Sequence, residues 1–316
     1  MNEVWVHRYV LRSRGDLNAA GADAEHEGAL LRLGEGVGCL HPWVALGDAP
    51  LDEQLSALCA GEGTQQAERA LECAVVDGRA RAQGKSVFET LSIPESHALV
   101  GSMEDFERKR EAGFGVFKVK CGRDLGAEGA MIGEMAEAGG VKLRLDFNER
   151  VDAAAFAGFW EGLPTGVRMA VEFVEDPCPY GGEVWAELGE ETGARLAVDR
   201  AVERAGEGGA DVLVVKPAVD RVHDVMSLAE ALDKPVVFTS YLDHPIGQMF
   251  AALEASLAKW AWPERVGVCG LVTHEWFEGD VFCDAVKADG ARLLAPEGTG
   301  LGFDDLLGTL EWERLI

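Results

Sequence analysis

Paired cysteines are missing from this chain. Its seven cysteines, at 39, 59, 73, 121, 178, 269 and 283, include no CxxC and leave one over. That argues against a disulfide framework and predicts reduced thiols. No apolar run approaches the roughly 18 residues that cross a bilayer. The opening MNEVWVHRYVLRSRGD has no apolar signal core, so a cytoplasmic protein with no membrane partner is expected. Positive charge is scarce: 29 Lys and Arg stand against 55 Asp and Glu, a net charge of −26. Such a field repels polyphosphate and argues against a nucleic-acid partner. The acids are spread along the chain, as a solvated surface is, so whatever attracts an anionic substrate must be local. Lysine is scarcest of the charged types, with 9 copies. Internal repeats, low-complexity tracts and Pro-rich linkers are also lacking, and GEGVG (34–38) lacks the GxGxxG spacing of a phosphate loop, which leaves a hairpin turn.

What is present is an alternation. From about residue 98, short β-branched runs (HALVGS, VFKVKC, VKLRLDFN, MAVEFVEDP, RLAVDR, VLVVKP, VVFTSY and, more weakly, VGVCGL) alternate with helical stretches such as MEDFERKREAG and HDVMSLAEALD. Eight such units predict an α/β fold, a (β/α)8 TIM-like barrel. Residues 1–97 read instead as an α+β capping domain: a strand pair (VWVHRYVLRS, GALLRLGEG), a loop and a long helix over TQQAERALECAVVDGRARAQG. The expected division is a cap over 1–97, a barrel over 98–297 and a tail over 298–316 that returns to the cap. The tryptophans at 160, 185, 260 and 262 fall in or near predicted helices and are expected to pack.

Each barrel run ends in a polar residue that alternation aims inward. Lys118 and Lys120 share one face of the second run, and Arg144, Asp146 and Asn148 one face of the third. Glu175, Asp199, Lys216 and Ser240 end the next four. In barrels these ends form the active-site mouth. Three carboxylates converging there repel one another unless a cation sits among them, and an all-oxygen set suits Mg2+ (or Mn2+) better than zinc. Flanking lysines, partly buried beside a metal and each other, have their ammonium forms destabilised and become candidate bases. The mouth is then locally positive, able to bind a small-molecule carboxylate, and equipped to remove its α-proton while stabilising the resulting enediolate.

These residues resemble the enolase superfamily in its muconate-lactonizing subgroup, which has KxK on the second barrel strand, acids ending strands three to five and a lysine ending strand six. The resemblance implies a capped barrel with Asp146, Glu175 and Asp199 as metal ligands. It implies catalytic roles for Lys120, Lys216 and Lys118. Three stretches (EGALLRLGEGVGCLHPWVALGDAPLDEQL, SYLDHPIGQMFAA and CGLVTHEWF) are similar to the branch that dehydrates 2-succinyl-6-hydroxy-2,4-cyclohexadiene-1-carboxylate to o-succinylbenzoate in menaquinone biosynthesis, with Asn148, Ser240 and Gly270 as substrate contacts. N-acylamino acid racemisation and dipeptide epimerisation are the alternatives within the superfamily; Cys269-Gly270-Leu271, where dipeptide epimerases carry Asp-x-Asp, speaks against the latter. A Schiff-base lyase using Lys216 or Lys120 leaves the three acids without a task. Two departures stand out: Arg200 follows Asp199 where the family has Glu, and Asp176 stands where Glu or Gln is usual. The histidines at 26, 41, 244 and 274 read as loop or supporting residues, and Cys121 and Cys178 as small buried apolar groups. Nothing in the pattern sets an oligomeric state.

Overall fold

The computed structural model describes residues 3–14 and 25–316. The cap begins with β1 (Val4–Ser13), paired antiparallel to β2 (Glu25–Leu33) from Val4↔Leu33 to Arg12↔Glu25. A tight turn at Gly34–Glu35 then leads into β3 (Gly36–Leu40), so GEGVG is a hairpin with a strand behind it. The glycines of β3 are there for close approach. A Cβ on Gly36 would lie 1.9 Å from the Ala74 carbonyl oxygen, and one on Gly38 1.8 Å from that of Ala70. Only bare backbone lets the strand lie against the long helix. After α1 (Leu51–Ala60), which stands where a loop was expected, that helix is α2 (Gln65–Ala82), started by the Thr64 hydroxyl accepting from the Ala67 N–H.

The barrel follows in regular alternation: β4 (Ala98–Val100), α3 (Met103–Glu111), β5 (Val116–Lys120), α4 (Leu125–Glu137), β6 (Lys142–Asp146), α5 (Ala153–Gly162), α6 (Thr165–Ala170), β7 (Val171–Glu175), α7 (Gly182–Thr192), β8 (Leu196–Val198), β9 (Val212–Val215), α8 (Val222–Leu232), β10 (Val236–Phe238) and α9 (Pro245–Ala261). Among the described residues, β4 to β10 form a seven-stranded sheet in sequential order, all parallel. Residues 265–271 close it, bridging to one edge through Thr239↔Gly270 and to the other through Ser96↔Cys269. The eighth strand thus exists as bridges on both sides. The fifth unit departs from the pattern: in place of a full helix after β8 there is a 3-10 segment, Val202–Glu207, in a stretch holding Gly206, Gly208 and Gly209. One continuous apolar core fills the space between sheet and helices, with Phe117, Leu145, Val174 and Leu213 fully buried. Trp160 and Trp185 belong to it, but Trp260 is 78% exposed on α9, so helical position did not guarantee packing there.

Both ends of the chain meet in the cap. The tail strand Glu313–Arg314 pairs with β1 (Trp5↔Arg314), and the Leu315 N–H donates to the Val4 carbonyl at 2.9 Å. Asp77 of α2 ties the pieces together. Fully buried, it accepts from the Val37 N–H at 2.8 Å, the Leu301 N–H at 2.6 Å and Arg81 Nε at 2.6 Å. Asp77→Ala leaves two buried backbone donors and the Arg81 Nε–H without their acceptor, while Arg81 keeps Asp304 and the Gly302 carbonyl. The expected loss is about 3–5 kcal/mol of unfolding free energy, read by urea titration; a loss under about 1 kcal/mol would show that the tail does not depend on this carboxylate.

Candidate active site

Strand register brings the polar ends into one row. Lys120 lies opposite Asp146, and Asp146 opposite Glu175, while β8 and β9 deliver Asp199 and Lys216 just past their last residues. A register shift at Leu143/Arg144 between β6 and β7 sets the pairing of Asp146 with Glu175. All three carboxylates are buried, which forces a search for counter-charge. Lys118 Nζ stands between two of them, 2.8 Å from Asp146 Oδ2 and 2.5 Å from Glu175 Oε1. Lys216 Nζ pairs with Asp199 Oδ2.

The lysines therefore divide. Burial alone would lower Lys118, but Asp146 and Glu175 override it and hold the ammonium above its ordinary value. Lys216 behaves alike: burial opposes its charge, and Asp199 and Glu175 restore it. Lys120 goes the other way. Burial pushes it down to about 8, Asp146 opposes, and the ammonium groups of Lys118 and Lys216 add to the fall. The general expectation of depressed lysines thus holds for one of three. Glu175 is pushed up to about 7 by burial and by Asp146 and Asp199, against the pull of Lys118.

Among the described residues no three acidic, His or Cys side chains converge into a ready-made cage; lysine ammonium groups stand between the acids instead. The donor set nevertheless fits a hard divalent ion: three carboxylates, no thiol and no imidazole. Burial and the neighbouring acids already push the Glu175 carboxyl up, and a cation there would relieve it.

Supporting contacts are laid by unusual backbone. Asn148 (φ 47°) and Asp176 (φ 43°) both occupy the left-handed region. Asn148 donates its backbone N–H and Nδ2 to Asp146 Oδ1 at 3.1 and 2.9 Å, so it holds an acid as well as lining the pocket. The Asp176 carboxylate accepts from the Asp199 N–H at 3.1 Å and the Arg200 N–H at 3.2 Å. Arg200 turns away from the mouth, toward Glu149 and the Leu46 carbonyl, so its departure from the family pattern leaves the Asp199 backbone contact intact.

The pocket above Lys120 and Lys216 continues past Ser240, Gly270 and Thr273 and is roofed by Trp43 and Leu46 of the cap. Trp43 Nε1 donates to the Tyr241 carbonyl at 2.7 Å, which docks the cap on the barrel. Ser240 Oγ and Thr273 Oγ1 share a hydrogen bond at 2.7 Å. Gly270 lines the same stretch. Its N–H donates to the Phe238 carbonyl at 2.7 Å within the barrel, so what it gives the pocket is the absence of a side chain. His97 also lines this end, and the only sequence signal for it is a histidine directly before the first barrel strand. The other histidines are tied elsewhere: His41 to the Tyr9 hydroxyl, His244 to the Ile246 N–H and His274 to Gln248. Cys121 and Cys178 are buried, and burial raises both thiols.

A capped barrel with a lysine row facing three strand-end acids defines the enolase class of enzymes. Comparison with known proteins agrees. Residues 4–80 match the family model described as O-succinylbenzoate synthase, N-terminal domain, and 102–304 the model described as Enolase C-terminal domain-like. The o-succinylbenzoate synthase of Bdellovibrio bacteriovorus is 34% identical over 97% of this chain and 97% of its own length. That of Pectobacterium atrosepticum is 28% identical over 48% of this chain and 49% of its own. Among solved structures, the L-Ala-D/L-Glu epimerase of Bacillus subtilis superposes with a TM-score of 0.79 at 19% identity, covering 96% of this chain and 98% of that one. A dipeptide epimerase of Enterococcus faecalis, complexed with Mg and a dipeptide, does so at 0.78 and 18%, covering 96% and 99%. At such identities these two speak for the fold. The chain belongs to the enolase superfamily, in its o-succinylbenzoate synthase family, and is an enzyme of the lyase class. Among the described residues no helix is long and apolar enough to cross a membrane.

Asp176→Ala removes the acceptor that fixes the Asp199 and Arg200 backbone and places alanine at positive φ. Divalent-ion affinity, measured by calorimetry, is expected to fall roughly 10–100-fold, with Asp176→Asn keeping part of it because Asn accepts one of the two hydrogen bonds and tolerates this conformation. Equal affinity in both variants would sink the supporting role.

Proposed function

We propose that this enzyme carries out the syn-dehydration of 2-succinyl-6-hydroxy-2,4-cyclohexadiene-1-carboxylate to o-succinylbenzoate, dependent on Mg2+. The observation that carries the reading is the division among the lysines. One face of the pocket holds a lysine poised to be a neutral amine, and across from it stands one held as a cation. Asp146, Glu175 and Asp199 would hold the metal, which when bound supplies charge to polarise the substrate carboxylate and acidify the neighbouring C–H. Lys120, as the neutral amine, removes that α-proton and becomes the ammonium. The C–O bond to the ring hydroxyl then breaks, and the same Nζ hands its proton to the departing hydroxide. Water leaves, the ring becomes aromatic and the amine is regenerated. One residue on one face performs both transfers, as syn elimination requires. Lys216 faces the developing negative charge as a cation, and Lys118 offsets the charge of Asp146 and Glu175. Ser240 and the space beside Gly270 accommodate the succinyl arm.

The 34% relative over nearly the whole chain supports this choice over the epimerases, which are similar in fold. So does residue chemistry: the stretch at Cys269-Gly270-Leu271 offers a dipeptide's ammonium no carboxylate, and Cys269 is fully buried.

With Mg2+ present, loss of the diene absorbance should be rapid, abolished by EDTA, and reduced at least 10²–10⁴-fold by Lys120→Ala. The base is the unprotonated form, so the rate rises with pH and levels off above a midpoint at or below about 8. A rate that falls across that range, or full activity in Lys120→Ala, removes Lys120 as the base. Metal binding without turnover of the diene shifts the assignment to N-acylamino acid racemisation or dipeptide epimerisation, tested by α-proton exchange.

A further inference from the structure

The substrate proposed above carries a second carboxylate at the end of its succinyl arm, and the far end of the pocket is short of donors for it. The Gly270 N–H is spent on Phe238, and the Leu271 and Val272 N–H groups both donate to Ser96 Oγ, at 2.8 and 3.1 Å. Ser240 and Thr273 have two hydroxyl hydrogens between them and use one on each other. Thr239 lines the pocket too, but its hydroxyl oxygen is buried beneath the surface, with no partner among the described residues. The Ser240–Thr273 pair thus leaves one hydroxyl hydrogen for a group with two oxygens.

His97 supplies what is missing. Its Nδ1 lies 2.8 Å from Arg144 Nη1. A guanidinium has donors only and does not lose its proton, so Nδ1 must be the lone-pair nitrogen and the hydrogen must sit on Nε2. Arg144 cannot swing away to relax this. Buried to 1% exposure, it also donates Nε to Glu172 at 2.7 Å and Nη1 to the Val268 carbonyl at 2.8 Å, and it stacks on Phe173 at 4.6 Å. The His97 backbone is fixed as well, its N–H donating to the Cys269 carbonyl at 2.6 Å. Nε2 has no hydrogen-bond partner among the described residues, and the ring lines the pocket. Gly270 keeps that edge open: a Cβ there would fall 2.7 Å from both Cε1 and Nε2. A histidine kept only for packing needs neither a fixed tautomer nor a cleared edge.

We propose that His97, locked as the Nε2–H tautomer by Arg144, is the second hydrogen-bond donor to the distal carboxylate of the substrate, beside the Ser240–Thr273 hydroxyl pair. His97 is then a binding residue and Arg144 its positioning residue; the assignment rests on the dehydratase reading. Burial, Arg144 and Lys118 all disfavour protonation of the ring, so the donor stays neutral while the guanidinium behind it polarises the N–H toward an anion.

The test compares the Mg2+-loaded enzyme with its His97→Ala and His97→Gln variants, titrated with o-succinylbenzoate and with 2-propanoylbenzoate, which keeps the ring carboxylate and ketone but lacks the distal acid. His97→Ala should weaken o-succinylbenzoate roughly 10–100-fold and leave 2-propanoylbenzoate within about twofold, with His97→Gln recovering part of the loss through its own N–H. Equal weakening of both ligands, or of neither, overturns the assignment. If His97→Ala does not fold, His97→Gln decides on the same ratio. Nitrogen NMR of the wild type should find Nε2 protonated and Nδ1 bare, and Arg144→Met should abolish that preference; a wild-type ring protonated on Nδ1 refutes the lock. A wild type that dehydrates the diene while His97→Ala binds both ligands normally overturns only the His97 role, whereas a wild type that neither dehydrates the diene nor binds o-succinylbenzoate overturns the dehydratase reading and the subsite together.

Discussion

Carboxylates cannot gather in a buried barrel mouth without opposite charge among them, and this constraint organises the whole molecule. Asp146, Glu175 and Asp199 are set side by side by strand register, and Lys118 and Lys216 are drawn in to balance them. Lys120 is left as the lysine whose burial outweighs its attractions, which gives it a different protonation from its neighbours. The chemistry depends on that inequality. Three lysines with the same affinity for a proton would make an anion-binding pocket but a poor base.

The same constraint explains why an acidic protein can be built to take an anion. The surface charge of the chain is negative, but the charges that a ligand meets inside are arranged at short range, where low dielectric strengthens them. The cap then matters for more than shape. Trp43 and Leu46 roof the pocket and keep water from weakening those fields, and the Trp43 bond to the Tyr241 carbonyl makes the roof part of the barrel's seventh strand end.

Much of this was legible in the sequence because inward-facing charge at the end of an apolar strand is costly and so rarely incidental. The KVK run, the acids of LRLDFN, FVEDP and AVDR and the lysine of VVKP each announced a strand end, and their order announced a barrel. What was not legible depends on neighbours distant in the chain. Which lysine is depressed is decided by acids 28 to 57 positions away from Lys118, and by the partner that Lys216 finds in Asp199. That the Gly270 N–H is already used was not legible, because its partner, Phe238, lies on another strand. His97 gave little signal because its meaning comes from Arg144, 47 positions on. Trp260 read as packing because composition does not say which helix face meets the barrel. The short helix α1 went unread although Leu51, Leu55 and Leu58 fall at helical spacing, because its ten residues sit in a stretch that reads as a loop between strand pair and long helix.

The joining of both chain ends in the cap fixes an order of events during synthesis. β1, β2 and α2 are made first, yet Asp77 waits for the Leu301 N–H and β1 waits for the Glu313–Arg314 strand, both of which leave the ribosome after every barrel strand. The first-made domain is therefore the last to be completed. Every barrel strand is thus made while the cap still lacks those two contacts.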